Sequence, residues 1–163
     1  KPVKPIDTVI ARTIVESGLY LIVFLVIIAG TFLFKQKLQI YDISIIISSY
    51  LALVIVSFGI GLLLLVSTFI YPSLIQFIPL IMRPLWFVSG VFISLRNIPQ
   101  WLRPYVSWNP IFQAIEIARH GFTKDYIIDN NAVSIIYLWK CAAITFFVGM
   151  WLYSSYEKKL LTR

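Results

Sequence analysis

The sequence predicts an all-α integral membrane fold: about four transmembrane helices, a short amphipathic helix at the N-terminus and a helical hairpin that does not cross the membrane. Three observations predict it. Hydrophobic residues make up 60% of the chain and charged residues 13%, and the mean hydropathy is +0.87, a balance whose preferred solvent is lipid. The charges fall between long uncharged runs rather than within them. One stretch, residues 96 to 131, is too polar and too rich in Pro and Trp to lie in lipid, yet it keeps helical spacing. At ~20 apolar residues per span, the 163 residues form one membrane domain, 1–163, with no room for a separate soluble one.

Residues 1 to 17 begin with Pro2 and Pro5 and continue with Ile6, Val9, Ile10, Thr13 and Ile14 at helical spacing. Lys1, Lys4, Asp7, Arg12 and Glu16 are the charged residues, and the pattern predicts an amphipathic helix on the membrane surface. Pro5 suits a first turn, and Asp7 near that end favours the helix dipole. Gly18 to Phe34 carries no charge and forms the first span together with the preceding turn. Lys35, Gln36, Lys37, Gln39, Tyr41 and Asp42 make a polar turn. The second span runs from Ile43 to Ile70, with Ser57, Gly59 and Gly61 marking a packing face, since helices in lipid associate through close backbone approach.

Tyr71, Pro72 and Ser73 form a tight turn into a third span, Leu74 to Leu95, which Pro79 and Pro84 kink near its start. IPQWLRPYVSW and NPIFQAIEIARHGF then read as two short helices. Asn109 is the expected N-cap, Pro110 the first helical residue and Gly121 the C-terminal stop. The last span, Ala132 to Tyr153, ends in the polar tail SSYEKKLLTR.

Four spans put both termini on one side. Lys1, Lys4 and Arg12 with Lys158, Lys159 and Arg163 favour the cytoplasm for that side, against Lys35, Lys37, Arg96, Arg103, Arg119 and Lys124 in the opposite loops. The net charge of +7 thus bears on topology, and no basic run suits nucleic acid. The first apolar run is too long for a secretory signal and no cleavage site follows it. The lone Cys141 excludes an intramolecular disulfide.

Catalytic layouts are absent from this pattern. One His, one Cys and seven scattered acids give no metal-ligand cluster, no phosphate-cradling loop and no nucleophile paired with a base. Arg83 is the one charge well inside the third span, where insertion costs at least ~2.5 kcal/mol at the midplane. It is either a cation for an anionic headgroup or sugar acid, or an arginine snorkelling to the interface. Glu116 and Arg119, three apart on one helix, can pair with each other or with a second subunit. His120 is open to a capping or interface role, to pH sensing and to contact with an anionic polymer. Trp86, Phe87, Phe92, Trp101, Tyr105, Trp108 and Phe112 suit an interfacial belt or a sugar-conducting path, and the hairpin position of Trp101 and Trp108 favours the path.

Three motifs, MRPLWFVSG at 82–90, IPQWLR at 98–103 and WNPIFQAIEIARHG at 108–121, resemble in this order the membrane subunit of ABC-2-type exporters, and among these the capsular-polysaccharide permeases. KPID, with a later AR and E within residues 4 to 16, resembles the cytoplasmic coupling helix of that family. The resemblance covers nearly the whole chain. Family members have six spans, so it implies a chain that starts after the second span and is N-terminally truncated. Gln113 stands where many relatives of the wider family have His, so no histidine role carries over to it.

The resemblance implies a multi-pass permease of the bacterial inner membrane that forms a homodimer and binds two ATPase subunits. ATP and Mg belong on those subunits; no cofactor, metal or enzyme activity is expected in this chain. Its cargo is a lipid-linked capsular polysaccharide, with both termini of the chain cytoplasmic. The same resemblance gives ATPase coupling to Lys4, Pro5, Asp7, Arg12 and Glu16, and makes residues 97 to 121 an extracytoplasmic re-entrant gate. The path or gate residues are Arg83, Trp86, Trp101, Trp108, Asn109, Pro110, Glu116, Arg119 and His120. The rival readings are an exporter of O-antigen or teichoic acid, a membrane enzyme acting on polyprenyl-linked sugars, and a non-transporting scaffold.

Overall fold

A computed structural model describes residues 4–33, 40–123, 126 and 132–161. Lys1, Lys35, Lys37, Lys124 and Arg163 of the charge pattern lie outside the described residues. Among the described residues six α-helices follow one another: α1 (Pro5–Leu33), α2 (Ile43–Ile70), α3 (Leu74–Phe87), α4 (Arg103–Ser107), α5 (Pro110–Phe122) and α6 (Ile135–Leu161), with a 3-10 turn at Leu95–Asn97. Three helices are long and apolar enough to cross a membrane, over Pro5–Thr31, Ile43–Ile70 and Ile135–Leu160. The fourth expected span is represented by the shorter apolar helix α3.

Two expected boundaries are corrected. The surface helix of residues 1 to 17 is not a separate element, because α1 runs unbroken for 29 residues. Gly18 has open space around its Cα, and one glycine costs a helix only about 1 kcal/mol, too little to end one with good formers on both sides. At 1.5 Å per residue α1 is about 44 Å long, so its first turns extend beyond a hydrocarbon core of about 30 Å. The polar tail likewise continues α6 through Tyr156, Lys158 and Lys159.

The third expected span stops early. Helix α3 holds Pro79 and Pro84 within its 14 residues, and each proline removes a backbone donor. It ends at Phe87, ahead of Gly90, whose φ of 84° belongs to the left-handed region that glycine adopts without strain. Fourteen residues reach about 21 Å, short of a full crossing.

The scaffold is the α2–α6 pair. The carbonyl of Gly59 lies so close to Gly149 that a Cβ on Gly149 would sit 2.7 Å from it, and a Cβ on Gly59 would meet the backbone of Thr145 at 2.5 Å. The face marked by Ser57, Gly59 and Gly61 is therefore two faces. Gly59 meets α6, whereas Gly61 and Ser57 look towards α1, where Val9 is 3.4 Å from a Cβ placed on Gly61. A spacing of two residues turns about 200° around a helix, which accounts for the split.

Asp42 caps α2 as its side chain accepts from the Ser44 and Ile45 amides at 2.9 and 3.4 Å and from the Ser44 hydroxyl at 2.7 Å. The Ser44 hydroxyl is the largest cause holding the Asp42 carboxyl below its ordinary value. Two buried clusters result. One joins Ala52 and Val56 of α2 to Phe112, Ala114 and Ile117 of α5 and Leu138 and Ala142 of α6. The other gathers Leu62, Val66 and Tyr153 with Ile6 and Val9 of α1. Lys4 Nζ meets Glu157 Oε1 at 2.8 Å, so the two ends of the described chain lie together.

Candidate functional site

The segment leading into the hairpin begins where α3 stops, at Phe87. The chain turns at Gly90, and the ring of Phe112 fills the space where a side chain would be, 2.6 Å from an added Cβ. After the 3-10 turn and α4, Asn109 caps α5 by accepting from the Ile111 amide at 3.0 Å, with Pro110 at the first helical position; both roles are as the motif predicted. Asn109 Nδ2 also reaches the Leu85 carbonyl of α3 at 3.5 Å. Helix α5 packs alongside the first half of α2, its Gly121 against Ile46 and its Phe112 clustered with Ala52 and Val56. Gly121 falls at the end of α5, which stops one residue later at Phe122, though without the positive φ that among the described glycines belongs to Gly90. Its missing side chain instead allows contact with Ile46, and its carbonyl accepts from the Tyr41 and Asp42 amides at 2.9 and 3.0 Å.

A buried carboxylate paired with a half-buried arginine ties α5 to the segment that follows α3. Glu116, 1% exposed, accepts through Oε1 from Arg119 Nη1 at 2.6 Å and from the Leu95 amide at 3.2 Å. Its Oε2 accepts from the Tyr126 hydroxyl, which also meets Ser94 Oγ at 2.5 Å. Arg119 Nη2 donates to the carbonyls of Gly90 and Val91 at 2.5 and 3.3 Å, and the Arg96 guanidinium lies over the Tyr126 ring at 4.7 Å. Burial, and then the bond to Glu116, push the Tyr126 hydroxyl above its ordinary value. A carboxylate with both oxygens occupied in the interior is an internal tie rather than a surface for cargo. His120 joins through Nδ1, 2.7 Å from the Tyr126 carbonyl, and its ring meets Tyr41 edge-on.

Gln113 fastens the other side. Its Nε2 donates to the Ser107 and Ala132 carbonyls at 2.7 and 2.9 Å, and its Oε1 accepts from the Ser134 amide at 2.9 Å. This buried amide links α4, α5 and the approach to α6, a role no local motif announced. Tyr126, Ser94 and Gly90 were also missed as partners. Only the SG of residues 89–90 carried any signal.

The aromatic candidates divide by position. Trp101 lies in the turn before α4, 72% exposed, and Trp108 just after α4, 79% exposed. Trp86 belongs to a different group on α3, where its ring contacts Phe87 and Phe92 with centroids 5.5 and 5.2 Å away. Arg83, one turn earlier, is exposed. Phe87, Phe92, Val106 and Phe112 also border an apolar cavity of about 430 Å³.

The coupling candidates gather at the end of the molecule away from the hairpin. Asp7 Oδ2 accepts from the Lys4 amide at 3.2 Å, half of a capping box, and Pro5 opens the helix. Arg12 and Glu16 form an exposed pair at 2.8 Å, four residues apart, beside a groove of about 850 Å³ between α1 and α2. Glu157 raises the Lys4 ammonium above its ordinary value, first by hydrogen bonding and then by its charge.

Residues 1–123 match the family model of the ABC-2 type transporter. The chain belongs to the ABC-2 type transporter family. Two curated Escherichia coli proteins, each called polysialic acid transport protein KpsM, are 32% and 31% identical to it over 162 residues. Each alignment covers 99% of this chain and 62% of the relative, so the chain spans less than two thirds of their length. The ABC-2 match takes in α1, α2, α3 and the hairpin through Phe122, and thus every coupling and gate candidate named above.

Proposed function

We propose that this chain is the membrane-embedded part of an ATP-driven exporter that carries lipid-linked capsular polysaccharide across the bacterial inner membrane. The observation that carries the reading is the similarity to two polysialic acid transport proteins along 99% of the chain. A separate ATPase subunit, two copies on a permease homodimer, binds ATP and Mg and supplies the energy. Lys4, Pro5, Asp7, Arg12 and Glu16 form the coupling end. The meeting of Lys4 with Glu157 supports placing both ends of the chain on one side, which Lys158 and Lys159 favour as the cytoplasm.

The hairpin is the extracytoplasmic gate in this reading. Trp101 and Trp108 present their faces to the path, Asn109 and Pro110 set the start of α5, and Glu116, Arg119 and His120 hold the hairpin together from within. O-antigen and teichoic-acid export, a polyprenyl-linked sugar enzyme and a scaffold are less well supported, since the similarity runs to polysialic acid transport proteins.

The test is the fate of surface polymer in cells lacking the full-length gene, with lipid-linked polysaccharide assayed inside and on the surface. Polymer that is made and accumulates inside is the expected outcome. Polymer that is never made points to synthesis, and unchanged surface polymer rules out capsule as the cargo.

A further inference from the structure

Arg83 is the tenth of the 14 residues of α3, a helix with no buried residue. Its position is about 14 Å along the helix from Leu74. A guanidinium at that position in an apolar helix needs a counter-charge, since an unpaired one is costly to hold within a bilayer. The described carboxylates are already engaged. Asp7 holds the Lys4 amide, Glu16 pairs with Arg12, Asp42 caps α2, Glu116 pairs with Arg119 and Glu157 with Lys4. Among the described residues, and in a second copy of them, no carboxylate is left for Arg83, which leaves its anion to be supplied from outside them.

The surroundings narrow its chemistry. Trp86 and Phe87 follow Arg83 by three and four residues, the spacing that places side chains on one helix face. With Phe92 they form an aromatic trio, Phe87 and Phe92 being stacked at 5.9 Å and both perpendicular or nearly so to Trp86. The three rings remain 52 to 62% exposed. A lipid phosphate needs only the cation. Flat apolar ring faces beside a cation match a molecule with saturated CH faces and a carboxylate on the same ring, which is a sugar acid.

We propose that Arg83, with Trp86, Phe87 and Phe92, is a contact site for a carboxylate-bearing sugar of the transported polymer. The proposal rests on the export reading and deepens it: Arg83 selects for acidic units, while the aromatic faces hold the ring without fixing its identity. The selective element is thus on α3, apart from the hairpin tip that carries Trp101 and Trp108.

The experiment uses the full-length permease in phosphatidylcholine nanodiscs, titrated with an oligosaccharide of sugar acids and with its carboxyl-reduced neutral counterpart. Wild-type protein is expected to bind the acid form at least about tenfold more tightly, the scale of one charge-assisted contact. Arg83→Gln should level the two affinities, Arg83→Lys should keep part of the preference, and Trp86→Ala should weaken both oligomers alike. Arg83→Lys keeps the charge and gives a second comparison if Arg83→Gln does not insert. Equal binding of both forms by wild type, or a preference that survives Arg83→Gln, overturns the site alone. Binding of neither oligomer overturns the export reading and the site with it. In a second set of nanodiscs containing phosphatidylglycerol, loss of bound phosphatidylglycerol in Arg83→Gln with an unchanged acid preference assigns the arginine to a headgroup and likewise overturns the site.

Discussion

Phe112 lies against Gly90 so closely that the two positions form one packing unit: the ring occupies the volume a side chain at 90 would need. Residue 90 sits at the turn after α3 and residue 112 near the start of α5. The contact therefore joins the segment that follows α3 to the second helix of the hairpin.

Gly90→Ala should be strongly destabilising. The positive φ costs an L-residue roughly 1–2 kcal/mol, and overpacking against the ring adds about 1–3 kcal/mol. Phe112→Leu in the same chain should recover part of the second contribution and none of the first. Thermal unfolding in detergent, followed by tryptophan fluorescence, checks both; a Gly90→Ala protein as stable as wild type would falsify the packing account.

Removal of Arg119, which leaves the buried Glu116 carboxylate without its charge partner, should cost about 3–5 kcal/mol, and removal of Glu116, which leaves a half-exposed arginine, should cost less. Tyr126→Phe deletes only the hydroxyl and should cost about 1 kcal/mol. The informative readout is hydrogen exchange at the Leu95 amide, which donates to Glu116. Faster exchange in Glu116→Ala than in Tyr126→Phe, with both faster than wild type, is expected. Equal protection in all three would contradict the tie.

The raised Tyr126 hydroxyl gives a pH signature. A phenol whose proton is held more tightly in the folded state contributes stability that is complete below its unfolded value near 10 and lost as pH rises through the folded value. The ultraviolet difference titration of wild type minus Tyr126→Phe should accordingly have its midpoint above 10. A midpoint at or below 10 would remove the burial argument for this residue.

Gly59 and Gly61, two residues apart, should respond oppositely to alanine. Gly59→Ala forces the α2 and α6 backbones apart and should lower stability by at least about 1–3 kcal/mol. Gly61→Ala meets only Val9 at an ordinary 3.4 Å and should stay within about 0.5 kcal/mol of wild type or gain slightly from helix propensity. Paired thermal melts decide it.

Replacement of Asp7 or Arg12 should weaken docking of the ATPase subunit and leave membrane insertion unchanged. Co-purification of that subunit with the full-length permease is the measurement. Unchanged recovery with both variants would withdraw these residues from the coupling end.

Much of this fold was legible because its signals are local. Asp42 and the Tyr71–Pro72 turn bracket an uncharged run, and α2 begins and ends there. Asn109 and Pro110 announce the start of α5, and the spacing of Glu116 and Arg119 announces their pairing. The early end of α3 was hidden because hydropathy stays high to Leu95, while the turn depends on the backbone at Gly90. The unity of α1 was hidden for the opposite reason: Asp7, Arg12 and Glu16 change its polarity but break no backbone hydrogen bond. The partners of Glu116 were beyond local reading, since Leu95 and Tyr126 arrive from positions 21 and 10 residues away, and Gln113 spans 21 residues to Ser134.

The unbroken α1 makes one solid rod of three stations. Arg12 stands near its outer end, the Ser17 carbonyl accepts from the Tyr50 hydroxyl of α2 at 2.5 Å, and Phe24 meets Phe122 at the end of α5 edge-on, 5.8 Å between centroids. The Ser17 contact lies between the other two. A tilt of the rod about this fulcrum displaces Arg12 and Phe24 in opposite directions, and the distance from Ser17 to Phe24, about 11 Å against about 8 Å to Arg12, makes the movement at the hairpin end the larger one.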